Sequence, residues 1–434
     1  MSLRGLAFAV GLVFGLAALP AFAAQQEGGI PEGTIITPQN WQTYKDFMPD
    51  GMQALLSGQL PWKVPADFQM VVGPTHDYPV GKEYRANTEK YAGTTKIVDL
   101  PDGRHTVKGY VAGMPFPNPS EPNRGYKILV DEWYHYVPYL ICGYLNSRLT
   151  DRLNNVTYNQ ALLVYRRLSH ISDYNQPITN PQSQGIDYSE YTMLTAPEQS
   201  KYATDLTLYY DDPTRNEDVF LFIPALRRSL RLSSAARCTP WFATDWSQDE
   251  IRAGSYNGGI TKFDAKVLGE QKAITMVSSP DPVLWGNWNN YYQPFYLPRP
   301  AIGKWELRDV YKLSIRRIPS LRSGYCYGNR VQYLDKQTYI NGWTDLYDQN
   351  DKLWKISPYL SIAVPVPHEG MQIPTQDFIA AMWDVQNAHT TVTITNDDHG
   401  NYNRHNEECR NYKGENFDDV KKFSSTAGLS EILR

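Results

Sequence analysis

Residues 204–223 read Thr-Asp-Leu-Thr-Leu-Tyr-Tyr, then Asp-Asp-Pro-Thr-Arg-Asn-Glu, then Asp-Val-Phe-Leu-Phe-Ile. Leu206, Leu208 and Tyr210 alternate with Asp205, Thr207 and Tyr209, the period of two expected of a strand with one buried face. Asp211-Asp212-Pro213 turns the chain, and 219–223 returns as the partner strand. Runs of the same kind at 311–318, 330–335, 343–347 and 353–356 extend this hairpin into a meander, the last two joined by Asp348-Gln349-Asn350-Asp351. Upstream, 96–100, the turn Pro101-Asp102-Gly103 and 106–111 predict another hairpin.

Helices are few. Trp41, Tyr44, Met48, Met52, Leu55 and Leu56 stand near helical spacing and predict a helix within 40–58. A second is expected over 375–386, entered from Pro374 with Phe378, Ile379, Met382 and Trp383 on one side, before a last strand at 391–395. Residues 113–125 carry four prolines and read as a loop. From 126 to 170 the pattern is ambiguous, because Leu149, Leu153 and Val156 fit a helix while 162–165 fit a strand. A long antiparallel meander must curl to protect its edges, as a barrel, half-barrel or sandwich, and a helix plugging a curled sheet suits this order of elements.

The ends and the composition place the chain. Arg4 precedes an apolar run from Leu6 to Leu19 that stops at Pro20, followed by Ala21-Phe22-Ala23 and then Gln25, Gln26 and Glu27. This predicts a signal peptide over 1–23 and a mature protein beginning at Ala24, exported to the periplasm. The run is shorter than the ~20 residues of a spanning helix, and no cysteine stands at the junction to take a lipid anchor. A mean hydropathy of -0.50 is that of a water-soluble globule. The formal net charge of -4 leaves no nucleic-acid footprint. We expect one large domain over 24–434.

Four cysteines, at 142, 238, 326 and 409, form no C-x-x-C pair and suit disulfides in an oxidising compartment. Three pairings are open. Cys238–Cys326 is expected, because both lie just beyond strands of the central meander. The 31 Tyr, 11 Trp and 14 Phe fill a large β core and can line a cleft.

No motif demands an enzyme, and no catalytic, metal or cofactor residue is assigned. Gly324-Tyr325-Cys326-Tyr327-Gly328 has the outline of a nucleophile elbow, but strands on both sides and an oxidising compartment argue against a catalytic thiol. Ser247 and Glu250 have capping-box spacing, with Asp249 in the first turn of a short helix. Asp397, Asp398, His399, His405, Glu407 and Glu408 follow no ligand spacing and read as a solvated loop, and the glycines at 254, 258 and 259 lack a strand-turn-helix context. Over 226–232, Arg227, Ser229 and Arg231 share one strand face, opposite Leu226, Arg228, Leu230 and Leu232. An ordinary half-exposed strand accounts for that as well.

The block Asp218-Val-Phe-Leu-Phe-Ile-Pro-Ala-Leu-Arg-Arg-Ser-Leu-Arg-Leu-Ser-Ser-Ala-Ala-Arg-Cys238, followed by Ala243-Thr-Asp-Trp246, resembles the bacterial domain-of-unknown-function family 1329. Tyr110-Val-Ala-Gly-Met-Pro-Phe-Pro-Asn-Pro119, Val164-Tyr-Arg-Arg-Leu168, Pro197-Glu-Gln-Ser-Lys-Tyr202, Arg330-Val-Gln-Tyr-Leu-Asp-Lys336, Leu346-Tyr-Asp348 and Leu353-Trp-Lys355 look like further family blocks in family order. The resemblance implies a mainly β fold with a few helices, a LolA/LolB-like curved antiparallel half-barrel closed by helices around an apolar cavity. Its core would run from about 200 to 434, after an N-terminal extension. It also implies a soluble periplasmic carrier or chaperone for a lipid acyl chain or other hydrophobic small molecule, working with an RND-type exporter in the inner membrane and a partner in the outer membrane. The signature places the ligand against Phe220, Phe222, Leu230, Leu232, Trp241 and Trp246, with Arg227 and Arg231 facing water or an anionic headgroup. The other classes weighed are an envelope assembly or stress-sensing protein that binds polypeptides, and a hydrolase marked by a buried acidic pair in the pocket.

Overall fold

The computed structural model describes residues 28–433 except 234–236, 253–255, 279–281, 376–377 and 397–401. The leader and its cleavage site, Gly254, Asp397, Asp398 and His399 lie outside the described residues. The fold is built on one antiparallel sheet, 14-stranded among the described residues. Its first meander comprises β1 (Leu140–Thr150), β2 (Val156–Arg167), β3 (Ile186–Ala196), β4 (Thr204–Tyr210), β5 (Asp218–Ile223) and β6 (Arg228–Leu232). The second comprises β7 (Phe263–Ser278), β8 (Lys304–Arg317), β9 (Asn329–Asp335), β10 (Asn341–Tyr347), β11 (Leu353–Ser361), β12 (Phe378–Asp384) and β13 (His389–Ile394). Within each meander every strand pairs with its successor, and β13 pairs with β1, so the two meanders fuse and leave β6 and β7 as the edges; the fourteenth strand, Arg404–His405, pairs with the start of β1. The boundary expected near residue 200 falls between β3 and β4, neighbours in this sheet.

The sheet curls without closing. One buried cluster takes Ile141, Leu163, Tyr165 and Tyr209 from the first meander and Leu313, Leu334, Leu346 and Met382 from the second, so the halves face each other. A Cβ on Gly342 of β10 would stand 2.5 Å from the carbonyl oxygen of Thr275 in β7, a close approach between strands that are not neighbours in the sheet. Within the curl lies an α-helix, Arg124–Tyr134, buried on all sides with Ile128, Leu129, Val130 and Trp133 in the same cluster. Residues 233–262 join the two edges and send Trp246, Tyr256 and Ile260 into it.

Both outer faces are also covered. Residues 30–72, including the short helix Asp50–Leu56 expected from the sequence, pack with Trp305, Trp343 and Trp383 on the second meander. The C-terminal segment packs Phe417, Phe423 and Leu429 on the first meander, and Cys409 is bonded to Cys142 of β1. The upstream hairpin forms as Lys96–Asp99 and His105–Lys108. Among the described residues no helix is long and apolar enough to cross a membrane.

The helix expected over 375–386 is instead β12. Ile379, Ala381 and Trp383 enter one buried cluster while Ala380 and Met382 enter the other. A strand buried on both faces loses its polar alternation, and its apolar run imitates a helical stripe.

Candidate functional site

The β5–β6 pair carries the residues that the signature singled out, and its register sorts them. Leu230 stands opposite Leu221 and Leu232 opposite Val219, whereas Arg231 stands opposite Phe220 and Ser229 opposite Phe222. One face therefore holds Val219, Leu221, Leu230 and Leu232 and the other Phe220, Phe222 and Arg231. The first face meets the linker across a cleft of about 250 Å3, walled by Val219, Leu221, Leu232, Trp241 and Phe242, with Asp205, Arg237 and Gln248 as polar members. This cleft is at the sheet edge, and the interior of the curl is filled by the helix Arg124–Tyr134 and the linker.

Phe220 and Phe222 are not part of this cleft. They pack on the outer face with Leu206, Leu208 and Phe423. Arg227 belongs to the turn that follows Pro224–Leu226, with φ of 49°. Arg231 is exposed and ion-paired with Asp218. Trp246 sits deeper, around a smaller void shared with Trp241, Leu145, Tyr165, Ile251 and Tyr359. The indole N–H groups of Trp241 and Trp246 are buried with no acceptor. Such orphaned donors beside an apolar cleft suit a ligand that is mostly hydrocarbon with an acceptor such as a carbonyl.

The cleft rests on a buried ionic network. The Arg237 guanidinium donates to Asp249, to Glu217 at 2.5 Å and to the carbonyl of Asn257 at 2.7 Å. Lys262 donates to Glu217 at 2.9 Å, while Arg330 and the Tyr325 hydroxyl donate to Asp249. Burial alone would raise both carboxyls, but Arg237 and Lys262 hold Glu217 at about 2, and Arg237 and Arg330 hold Asp249 well below the usual range. Breaking one member of such a network leaves an uncompensated buried charge. Next to Arg237, Cys238 is bonded to Cys326, so the linker is tied covalently to the loop before β9 and no thiol is free.

Sequence reasoning missed this network, since 217, 237, 249, 262 and 330 meet only in three dimensions. The Ser247 N–H does donate to Glu250 at 2.6 Å, half of a capping box, but no helix follows within the described residues and Asp249 is an ion-pair centre. His405 is buried, pairing with Ile141 of β1, so it is not part of a solvated loop, while Glu407 meets His368 at 2.9 Å at the surface.

Deeper inside, burial raises Glu132 to about 8 and Glu190 and Asp205 to about 7. The Arg252 guanidinium lies 4.1 Å from the Trp133 ring centre and 4.3 Å from that of Tyr188. Of the three raised carboxyls only Asp205 lines the cleft. The acidic pair that would mark a hydrolase is not in the cleft among the described residues.

No curated protein matches the chain. Among solved structures it is similar to a Vibrio parahaemolyticus domain described as an outer membrane lipoprotein-sorting protein, at 16% identity and a TM-score of 0.45 over 66% of this chain and 96% of that one. A DUF1329 family protein from Desulfovibrio piger gives 14% and 0.45 over 67% and 97%. A LolA superfamily protein from Nitrosomonas europaea gives 11% and 0.36 over 61% and 86%. The model of the family described as protein of unknown function (DUF1329) matches residues 35–427, and the chain belongs to that family.

Proposed function

We propose that this protein is a non-enzymatic carrier of the periplasm that holds the hydrocarbon part of a lipid, or a lipophile of similar width, in the edge cleft. The observation that carries the reading is the apolar cleft between β5–β6 and the disulfide-tied linker, walled by Val219, Leu221, Leu232, Trp241 and Phe242. Burying a chain there gains about 25 cal/mol per Å2 of apolar surface. The orphaned indole donors of Trp241 and Trp246 supply a hydrogen bond for an ester or carboxyl oxygen. Arg227 and Arg228 are exposed on the turn and edge strand beside the cleft, where they meet an anionic headgroup, while Arg231 pairs with Asp218 on the other face. Two disulfides suit an oxidising compartment. Delivery from an RND-type inner-membrane exporter toward an outer-membrane partner is the traffic that the family resemblance suggests.

Native mass spectrometry of the chain purified from periplasm, before and after organic extraction, tests the reading. The expected result is an adduct of lipid mass that extraction removes and that returns on adding the extract. A chain that carries no adduct and takes up none of the extract would refute it.

A further inference from the structure

A second site lies away from the cleft, where β2, β3 and β4 end. His170 follows β2, Asp187 is the second residue of β3, and Asp211 follows β4 directly. One ligand-type atom from each lies within 4.8 Å of the others. The backbone fixes them there: the Leu168 N–H donates to the Asp187 carbonyl at 2.6 Å, and the Asp211 N–H to that of Gly185 at 3.0 Å.

The side chains are arranged for a ligand beyond one another. His170 Nδ1 meets the carbonyl oxygen of Val111 at 2.7 Å. A carbonyl can only accept, so Nδ1 is the donor to Val111 and Nε2 is left on the side of the aspartates. Nε2 is buried with no hydrogen-bond partner, and so is Asp211 Oδ1, which it faces at 3.8 Å. That distance is too long for a hydrogen bond. Asp187 is held by Arg167 at 2.9 Å through Oδ1. The Tyr110 ring, 4.5 Å from the imidazole centre, restricts the ring's orientation.

We propose that His170, Asp187 and Asp211 bind a divalent transition-metal ion of the zinc class. One imidazole and two carboxylates are a ligand set for zinc and its neighbours, whereas calcium and magnesium take oxygen donors throughout. Val111 and Arg167 supply the outer hydrogen bonds that orient metal-bound imidazoles and carboxylates. Asp211 is 39% exposed, which gives the ion an entry path and leaves room for water in the remaining position. The spacing 170, 187, 211 belongs to no ligand motif, so only strand pairing brings the three together.

The test uses the full mature chain, stripped with chelator and titrated with Zn2+ alone by calorimetry, with Co2+ as a spectroscopic substitute. The expected result is a single ion per chain and a visible Co2+ spectrum of nitrogen and oxygen coordination. His170→Gln and Asp211→Asn should each weaken binding by about 100-fold. Asp211→Asn removes a half-exposed carboxylate and keeps the fold, so circular dichroism separates lost binding from lost structure. The proposal is overturned if the stripped chain takes up no Zn2+, or if Asp211→Asn, still folded, binds it as tightly as the parent.

Discussion

Trp343 and Trp383 on the second meander and Trp241 and Trp246 on the linker are all enclosed by aromatic neighbours, yet their indole nitrogens have different fates. Trp343 donates to Asp345 at 3.0 Å and Trp383 to the carbonyl of Phe295 at 2.7 Å. Those of Trp241 and Trp246 are buried without an acceptor. The first pair sits in edge-on contacts, Trp383 with Trp343 at 5.6 Å and with Trp62 at 6.1 Å, in a core with every polar group of these indoles satisfied. The second pair borders open volume. Trp343 and Trp383 complete their hydrogen bonds within the fold, whereas Trp241 and Trp246 leave theirs unmade.

The comparison breaks most visibly at Trp383. Trp383→Ala removes a fully buried indole and orphans the Phe295 carbonyl, which should cost about 3–5 kcal/mol, while lipid bound per folded molecule stays unchanged. Denaturant unfolding and native mass spectrometry on the same sample check both halves. Loss of lipid at full fold would place the ligand against the core instead.

Replacing Cys238 and Cys326 together by serine should cost about 2–4 kcal/mol. It should also lower lipid retention, because the linker then holds its side of the cleft without a covalent tie. Thermal unfolding with and without reductant gives the first number. Unaltered retention in the reduced but folded protein would show that the linker is not a wall of the site.

The smallest stability change is expected for Leu232→Trp. A larger side chain in open volume should leave the melting temperature near that of the parent and displace the lipid. If Leu232 were instead packed in a closed core, the same change should cost about 1–3 kcal/mol and leave any lipid bound.

The strand pattern at 204–223 was legible because each residue's hydrogen-bonding neighbours follow directly through one short turn, and the family block at 218–238 is continuous in the chain. Which face looks inward was not. Alternation separates Phe220 and Phe222 from Leu230 and Leu232, but the inner face packs on helix and linker and the outer on the C-terminal segment, so both are apolar and polarity marks neither. The same double burial hid β12. The sequence by itself determined the β meander, a helix within 40–58 and the family. Only the tertiary structure decided that the curl is filled, that a cleft opens at the edge beside β6, and that Arg237, Asp249 and Arg330 share one buried site. The physical reason is range: periodicity reports on neighbours within a strand or turn, while a cleft or an ion cluster is assembled by strand pairing between residues far apart in the chain.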